Sequence, residues 1–247
     1  MMNLKFVNRK GFGIQLFFIL FIGFGSHSPL FAYEVIRVEN GGELHGTISF
    51  KGKPPANLSH EVDKDSGVCG AKIQEETYIV NTKNQGLQNV VIWIEGITQG
   101  KAPLSSIAVI ENRKCHFVPH VQAGMTGQSY EVRNSDPIMH NTHLKMEDHT
   151  LLNIIMPAQG KNIKKDIRDS GLIKIKCDVH KFMYGWLVAT ENPYFAVTDQ
   201  DGKFKISDIP PGKYKIKSWQ EGISMEDKDV TITPGKNTEL SKEVSLE

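Results

Sequence analysis

Apolar and polar positions along this chain follow a two-residue period more often than a helical one. Asn89–Glu95 holds the unbroken apolar run Val90-Val91-Ile92-Trp93-Ile94, the mark of a strand buried on both faces. Tyr33 to Asn40 and Gly46 to Phe50 gather β-branched and aromatic residues, with turns expected at Gly41-Gly42 and Lys53-Pro54-Pro55. Ala56 to Gly70 is polar and reads as loop, Glu76 to Asn81 as a strand, and Gln99 to Ser106 as a connector. Short strands are then expected at Ile107–Ile110, Cys115–Val121, Ser129–Val132, His140–Met146, Leu151–Pro157, Asn162–Ile167 and Leu172–Lys176, with Gly124 and Gly127 marking a turn. Phe195 to Ile206 has a hairpin signature, Asp201-Gly202 supplying the positive backbone angle, and Ile209 to Gly212 is a turn leading into a strand through Ile216. Helical periodicity never persists beyond about two turns. The predicted class is all-β, a sandwich with its chemistry at one rim.

Composition changes this picture little. The 247 residues are 39% hydrophobic and 23% charged, an ordinary globular balance. The first 32 residues differ. They carry Lys5, Arg9 and Lys10 with no acid, then an apolar run from Phe12 to Gly25, then Leu30-Phe31-Ala32, which reads as a secretory signal peptide cut after Ala32. That run is broken by Gln15, Gly23 and Gly25 and falls short of the ~20 residues that span a bilayer, so no membrane insertion is expected after cleavage. The remaining 26 bases stand against 28 acids, which leaves no footprint for nucleic acid. A periplasmic or secreted location follows as an expectation. In an oxidising compartment three cysteines leave one unpaired. Bridging Cys69 to Cys115 leaves Cys177 as a spare thiol or as a metal ligand, and both readings stay open on spacing alone.

The informative stretch is Cys177-Asp178-Val179-His180-Lys181-Phe182-Met183, a thiolate, an imidazole and a thioether at three-residue intervals. These are three of the four ligands of a mononuclear copper electron-transfer site, which adds a second imidazole. His140, in Asn134-Ser135-Asp136-Pro137-Ile138-Met139-His140-Asn141, is the candidate. Singly, Cys177 would be a buried small hydrophobe, His180 a loop histidine and Met183 core filler. Their joint spacing after a β-rich run favours the metal. His143 reads as supporting or surface, since on a strand it and His140 point to opposite faces, and His116, His120 and His149 read as structural. Asp199 and Asp201 fit an Asp-rich turn better than a calcium site. No Gly-x-Ser-x-Gly elbow, His-Glu-x-x-His helix or phosphate loop is present, so an enzyme is not expected. A Cys177–His140 nucleophile pair would leave Met183 unexplained, and the lack of a second loop cysteine argues against a binuclear copper centre.

Both segments resemble the copper-binding segments of the cupredoxins, with the short Cys-x-x-His-x-x-Met loop most similar to amicyanin; the resemblance spans roughly Cys115 to Thr190. It implies a Greek-key β-sandwich holding one copper ion on His140, Cys177, His180 and Met183. It also implies that the Asn141 backbone N–H points at the thiolate, that Asn134 braces the ligand loop, and that Phe182 excludes water. Met139, Val179 and Lys181 stand where the family usually has proline. Electrons would pass through the His180 imidazole edge, which in similar proteins faces solvent, to generic partners such as a c-type cytochrome or an oxidase. Separately, Thr198-Asp199-Gln200-Asp201-Gly202-Lys203-Phe204, Pro210-Pro211-Gly212-Lys213-Tyr214 and Gly46-Thr47-Ile48-Ser49-Phe50-Lys51-Gly52 resemble the carboxypeptidase regulatory-like, transthyretin-like sandwich. The expected organisation is a signal peptide (1–32), an N-terminal β segment (33–98), a copper domain (99–190) and a C-terminal β segment (191–247). The two ends either share one small sandwich or stand in tandem with the copper unit. The expected function is a one-electron carrier. The alternatives are a copper-binding or delivery protein without a redox role and an adhesion module, and the same ligand set can also take zinc.

Overall fold

The computed structural model describes residues 33–246; the leader expected over residues 1–32 lies outside them. Among the described residues the one helical element is the single turn Ser66–Cys69, and none is long and apolar enough to cross a membrane. Everything else regular is strand, so the chain is an all-β sandwich protein as its two-residue periodicity predicts.

One sandwich carries the candidate ligands. Its first sheet runs Ile163–Asp166, Ser129–Asn134, Ala108–Arg113, His116–Val118, and its second runs His149–Met156, His140–Met146, Gly171–Lys176, Tyr184–Thr190, Val121–Met125. Alternation explains which side chains meet between them. In Gly171–Lys176, Ile173 and Ile175 are buried while Leu172 and Lys174 are exposed on the other face. Ile110, Phe117 and Val132 from the first sheet pack with Leu144, Met156, Ile175 and Leu187 from the second. Each fully buried Leu or Ile contributes roughly 1.5–3 kcal/mol.

The second sandwich is built from both ends of the described chain. Val91–Ile94 lies between Phe195–Val197 and Gly212–Trp219, with Lys228–Ile232 beyond; Gly42–Phe50 lies between Lys203–Ile209 and the strand Asn237–Glu239, and also pairs with Lys242–Val244. Leu44, Leu87, Ile92, Ile94, Tyr194 and Ile206 fill its core. Gly46 is required there, because a Cβ would sit 2.0 Å from the Leu240 carbonyl oxygen. Trp93, Trp186 and Trp219 pack with Val91, Val121 and Val188 where the two cores adjoin.

Several expected elements change. Cys115–Val121 is not one strand: it divides at Pro119 into His116–Val118 and Val121–Met125, which belong to opposite sheets, and Gly124 lies inside the latter rather than in a turn. Proline has no N–H for a continuing ladder. The expected hairpin at 195–206 is instead a crossing between sheets. The Asp-Gly turn does form, with Gly202 at φ +74° and its N–H donating to the Asp199 carbonyl at 2.9 Å, but the flanking strands pair with Val91–Ile94 and Gly42–Phe50 respectively. Glu76–Asn81 forms no strand beyond an isolated bridge at Val80, because the Asn57 side chain takes both backbone groups of Tyr78. In the N-terminal stretch only Glu34–Val35 pairs, and the strand expected from Gly46 begins at Gly42, in the expected turn. The polar 56–70 segment is partly ordered: Ser59–Glu61 pairs antiparallel with Lys72–Gln74 around the helical turn. Cys69 and Ile73 from this segment are buried in the core of the ligand-bearing sandwich.

Candidate metal centre

Strand pairing brings the two ligand segments together. His140–Met146 runs antiparallel to Gly171–Lys176 with His143 opposite Lys176, which sets the start of the first strand beside the end of the second. Cys177 to Met183 then closes a tight loop into Tyr184–Thr190: the Cys177 N–H donates to the Met183 carbonyl at 3.1 Å and the Met183 N–H to the His180 carbonyl at 2.9 Å. His140 Nδ1, Cys177 Sγ and His180 Nδ1 consequently lie within 4.8 Å of one another. His140 and His180 are 0% exposed and Cys177 2%. Met183 is buried in the same cluster as Cys177 and Phe182, whose ring centroid is 5.7 Å from that of His180.

The donor geometry suits a small soft-binding cation. The two Nδ1 atoms are 3.0 Å apart and Cys177 Sγ is 3.8 Å from His180 Nδ1. Nitrogens about 2.0 Å from one trigonal ion stand about 3.5 Å apart, so the nitrogens need separate only slightly. The sulfur accepts from the backbone N–H groups of Asn141 and His180, each at 3.4 Å. The Asn141 contact is the one the resemblance implies.

Two aspartates orient the rings, and neither was singled out from the sequence. Asp136, 4% exposed, places Oδ2 2.8 Å from His140 Nε2, while the N–H groups of Lys114 and Cys115 donate to its two oxygens at 2.6 and 2.9 Å. Asp65 places Oδ2 2.8 Å from His180 Nε2. Ionised carboxylates only accept, so each Nε2 carries the proton and each Nδ1 turns a lone pair inward. Burial holds His140 below the usual imidazole range, outweighing the opposing pull of Asp136, and so keeps it neutral. Two lone pairs facing at this distance repel each other, and a cation held between them removes that repulsion. Asp136 stands four residues before His140 inside the motif, a legible but weak signal. Asp65 is 115 residues from His180, and no local pattern announces it.

The remaining sequence-predicted residues fall as follows. Asn134 braces the upstream segment rather than the Cys177–Met183 loop: its Nδ2 donates to the carbonyls of Ile138, Met156 and Pro157 at 2.9, 3.0 and 2.9 Å. Asn134→Ala strands these carbonyls and is expected to cost about 1–3 kcal/mol in a denaturant titration. Cys69 and Cys115 are bridged, leaving Cys177 as the free cysteine among the described residues. Cys115, Asp136 and His140 also cluster, but the Cys115 sulfur is committed to that bridge. His143 lies outside the cluster, with Nδ1 2.9 Å from Asp178 and Nε2 2.8 Å from Thr150. Lys176, then His143 and Asn153, hold the Asp178 carboxyl well below the usual range. His116 Nδ1 lies 2.8 Å from the Lys114 carbonyl, His149 is exposed, His120 Nε2 lies 2.9 Å from Glu221, and none of the three belongs to the cluster. Asp199 Oδ1 accepts from the N–H groups of Asp201 and Lys203 at 2.8 and 2.9 Å, an ordinary Asp-rich turn. One expectation fails: the His180 edge does not face solvent, because Asp65 covers it.

The described residues thus define an all-β protein with a buried two-histidine, one-cysteine cluster. A family model described as polysaccharide lyase family 4, domain II, matches residues 170–240, less than a third of the chain. No comparison supports the carboxypeptidase regulatory-like resemblance. No curated protein matches. Similar solved structures include amicyanin from Paracoccus versutus, at 16% identity, 35% of this chain, 83% of that chain and TM-score 0.30. A purple cupredoxin from Nitrosopumilus maritimus shows 17% identity over 33% of this chain and 96% of its own, with TM-score 0.29. A copper-containing nitrite reductase from Thermus scotoductus shows 17% identity over 37% of this chain, with TM-score 0.31, and the match spans only 24% of that enzyme. At these scores the likeness bears on neither ligands nor partners.

Proposed function

We propose that this protein is exported and holds one copper ion on His140 Nδ1, Cys177 Sγ and His180 Nδ1, with Met183 as a weak fourth ligand, and serves as a one-electron carrier rather than a catalyst. The observation that carries the reading is the convergence of those three buried donor atoms within 4.8 Å. A copper ion bound there would supply reversible one-electron chemistry between Cu(II) and Cu(I). The chain's own contribution is rigidity. The strand pair fixes His140 against Cys177, the two N–H groups donate to the sulfur, and the sandwich core and Phe182 exclude water. A c-type cytochrome or an oxidase is the kind of partner such a carrier serves.

A second reading, copper holding or delivery without a redox circuit, is favoured by the complete burial of both imidazoles. Adding Cu(II) to the mature protein separates them. An intense thiolate-to-copper absorption with reversible voltammetry supports the carrier; a colourless, tight Cu(I) complex supports holding; no uptake refutes both. His143→Ala is expected to leave the absorption in place, because both ring nitrogens of His143 are engaged away from the three donors.

A further inference from the structure

Asp65 has features that its role in the fold does not explain. It stands at the start of the helical turn Ser66–Cys69, where an aspartate ordinarily accepts from the backbone of its own helix, yet its side chain makes no such bond. Its carboxylate reaches instead to His180 Nε2, 2.8 Å away, and its backbone is held left-handed at φ 58°. Left-handed aspartates are tolerated at some cost, and such cost recurs where a side chain must be aimed. The segment is anchored on both sides of the aspartate: by pairing of Ser59–Glu61 with Lys72–Gln74, and by the Cys69–Cys115 bridge. The Cys115 N–H in turn holds Asp136, the carboxylate on the other imidazole. One covalent staple therefore ties together the segments that aim both rings. The Asp65 side chain is 35% exposed while His180 is wholly buried, so the carboxylate lies between the imidazole edge and solvent.

We infer that Asp65 is a positioning residue of the metal centre with two effects. It locks His180 in the tautomer that turns Nδ1 inward, and its charge and bulk lower the reduction potential and slow direct electron exchange through the His180 edge. The physical basis is general. An anion hydrogen-bonded to a ligand raises that ligand's basicity and favours the more positively charged state of the ion it holds. The exchange in question moves one electron between the centre and an external donor or acceptor, with no proton transferred and no bond made or broken. The effect on potential rests on the carrier reading, whereas the effect on the tautomer does not.

The test uses three variants of the mature protein. Asp65→Asn keeps the shape, tolerates the left-handed backbone and removes the charge; Asp65→Ala removes the cap; Asp65→Glu restores the charge. In metal-free protein, nitrogen NMR of the imidazoles should show His180 protonated on Nε2 alone in the native chain and in Asp65→Glu, and as a mixture of tautomers in Asp65→Ala. With copper bound, the potential should rise in both neutral variants and return toward the native value in Asp65→Glu. Oxidation by hexacyanoferrate should be tenfold or more faster in Asp65→Ala. A native tautomer in Asp65→Ala overturns the inference, and so does a native potential in both neutral variants. A native protein that gives no coloured copper complex removes the carrier reading, and the metal-free spectra still decide the role of Asp65.

Discussion

If the protein holds copper as proposed, Cys177→Ser is expected to abolish the thiolate-to-copper absorption and to weaken copper binding by more than ~100-fold, because residues that merely support a ligand already cost 10–100-fold when lost. Serine is nearly isosteric, yet its hydroxyl stays protonated at neutral pH and is a hard, poor partner for copper. The fold should survive. Cys177 packs in the core with Ile175 and Met183, and the loss of its sulfur contacts is small beside that of a whole buried side chain. Absorption titration with Cu(II), alongside a thermal melt of the metal-free variant, checks both halves. Colour persisting in a folded Cys177→Ser protein would remove Cys177 from the ligand set.

The second large effect is structural. Replacing Cys69 and Cys115 together with alanine opens a bridge that spans 46 residues. Chain-entropy arguments for a loop of that size give about 4 kcal/mol. For a chain of this length that is a fall in Tm of roughly 8–16 °C. The same change releases the segment holding Asp65, so metal-free His180 should also lose its single tautomer. Calorimetry of the native and double-alanine proteins reads the first effect and NMR the second. An unchanged Tm would mean that the paired strands Ser59–Glu61 and Lys72–Gln74 hold the segment without the staple.

The candidate ligand strand His140–Met146 and the strand Gly171–Lys176 leading into Cys177 were legible because alternation and the Cys-x-x-His-x-x-Met spacing are local properties. Ile173 and Ile175 announce a buried face, and the loop after them sets its donors by sequence distance alone. The crossing at 199–202 was not legible. Asp201-Gly202 specifies a tight turn, but whether the next strand folds back on its predecessor or moves to the facing sheet depends on which apolar faces remain to be covered. Phe204 and Ile206 bury against the core made by Leu44 and Ile48, which lie more than a hundred residues upstream. Likewise, nothing near Pro119 says that the strands on either side of it serve different sheets.

By itself the sequence determined that the chain is β-rich and that a sulfur, an imidazole and a thioether share one short loop. It also offered His140 as the partner for that loop. Only the tertiary structure decided that Asp136 and Asp65 hold the two imidazoles and that the His180 edge is covered. Periodicity fixes which face of its own strand a side chain occupies, whereas a contact across 115 residues depends on how whole sheets and a bridged segment close over one another.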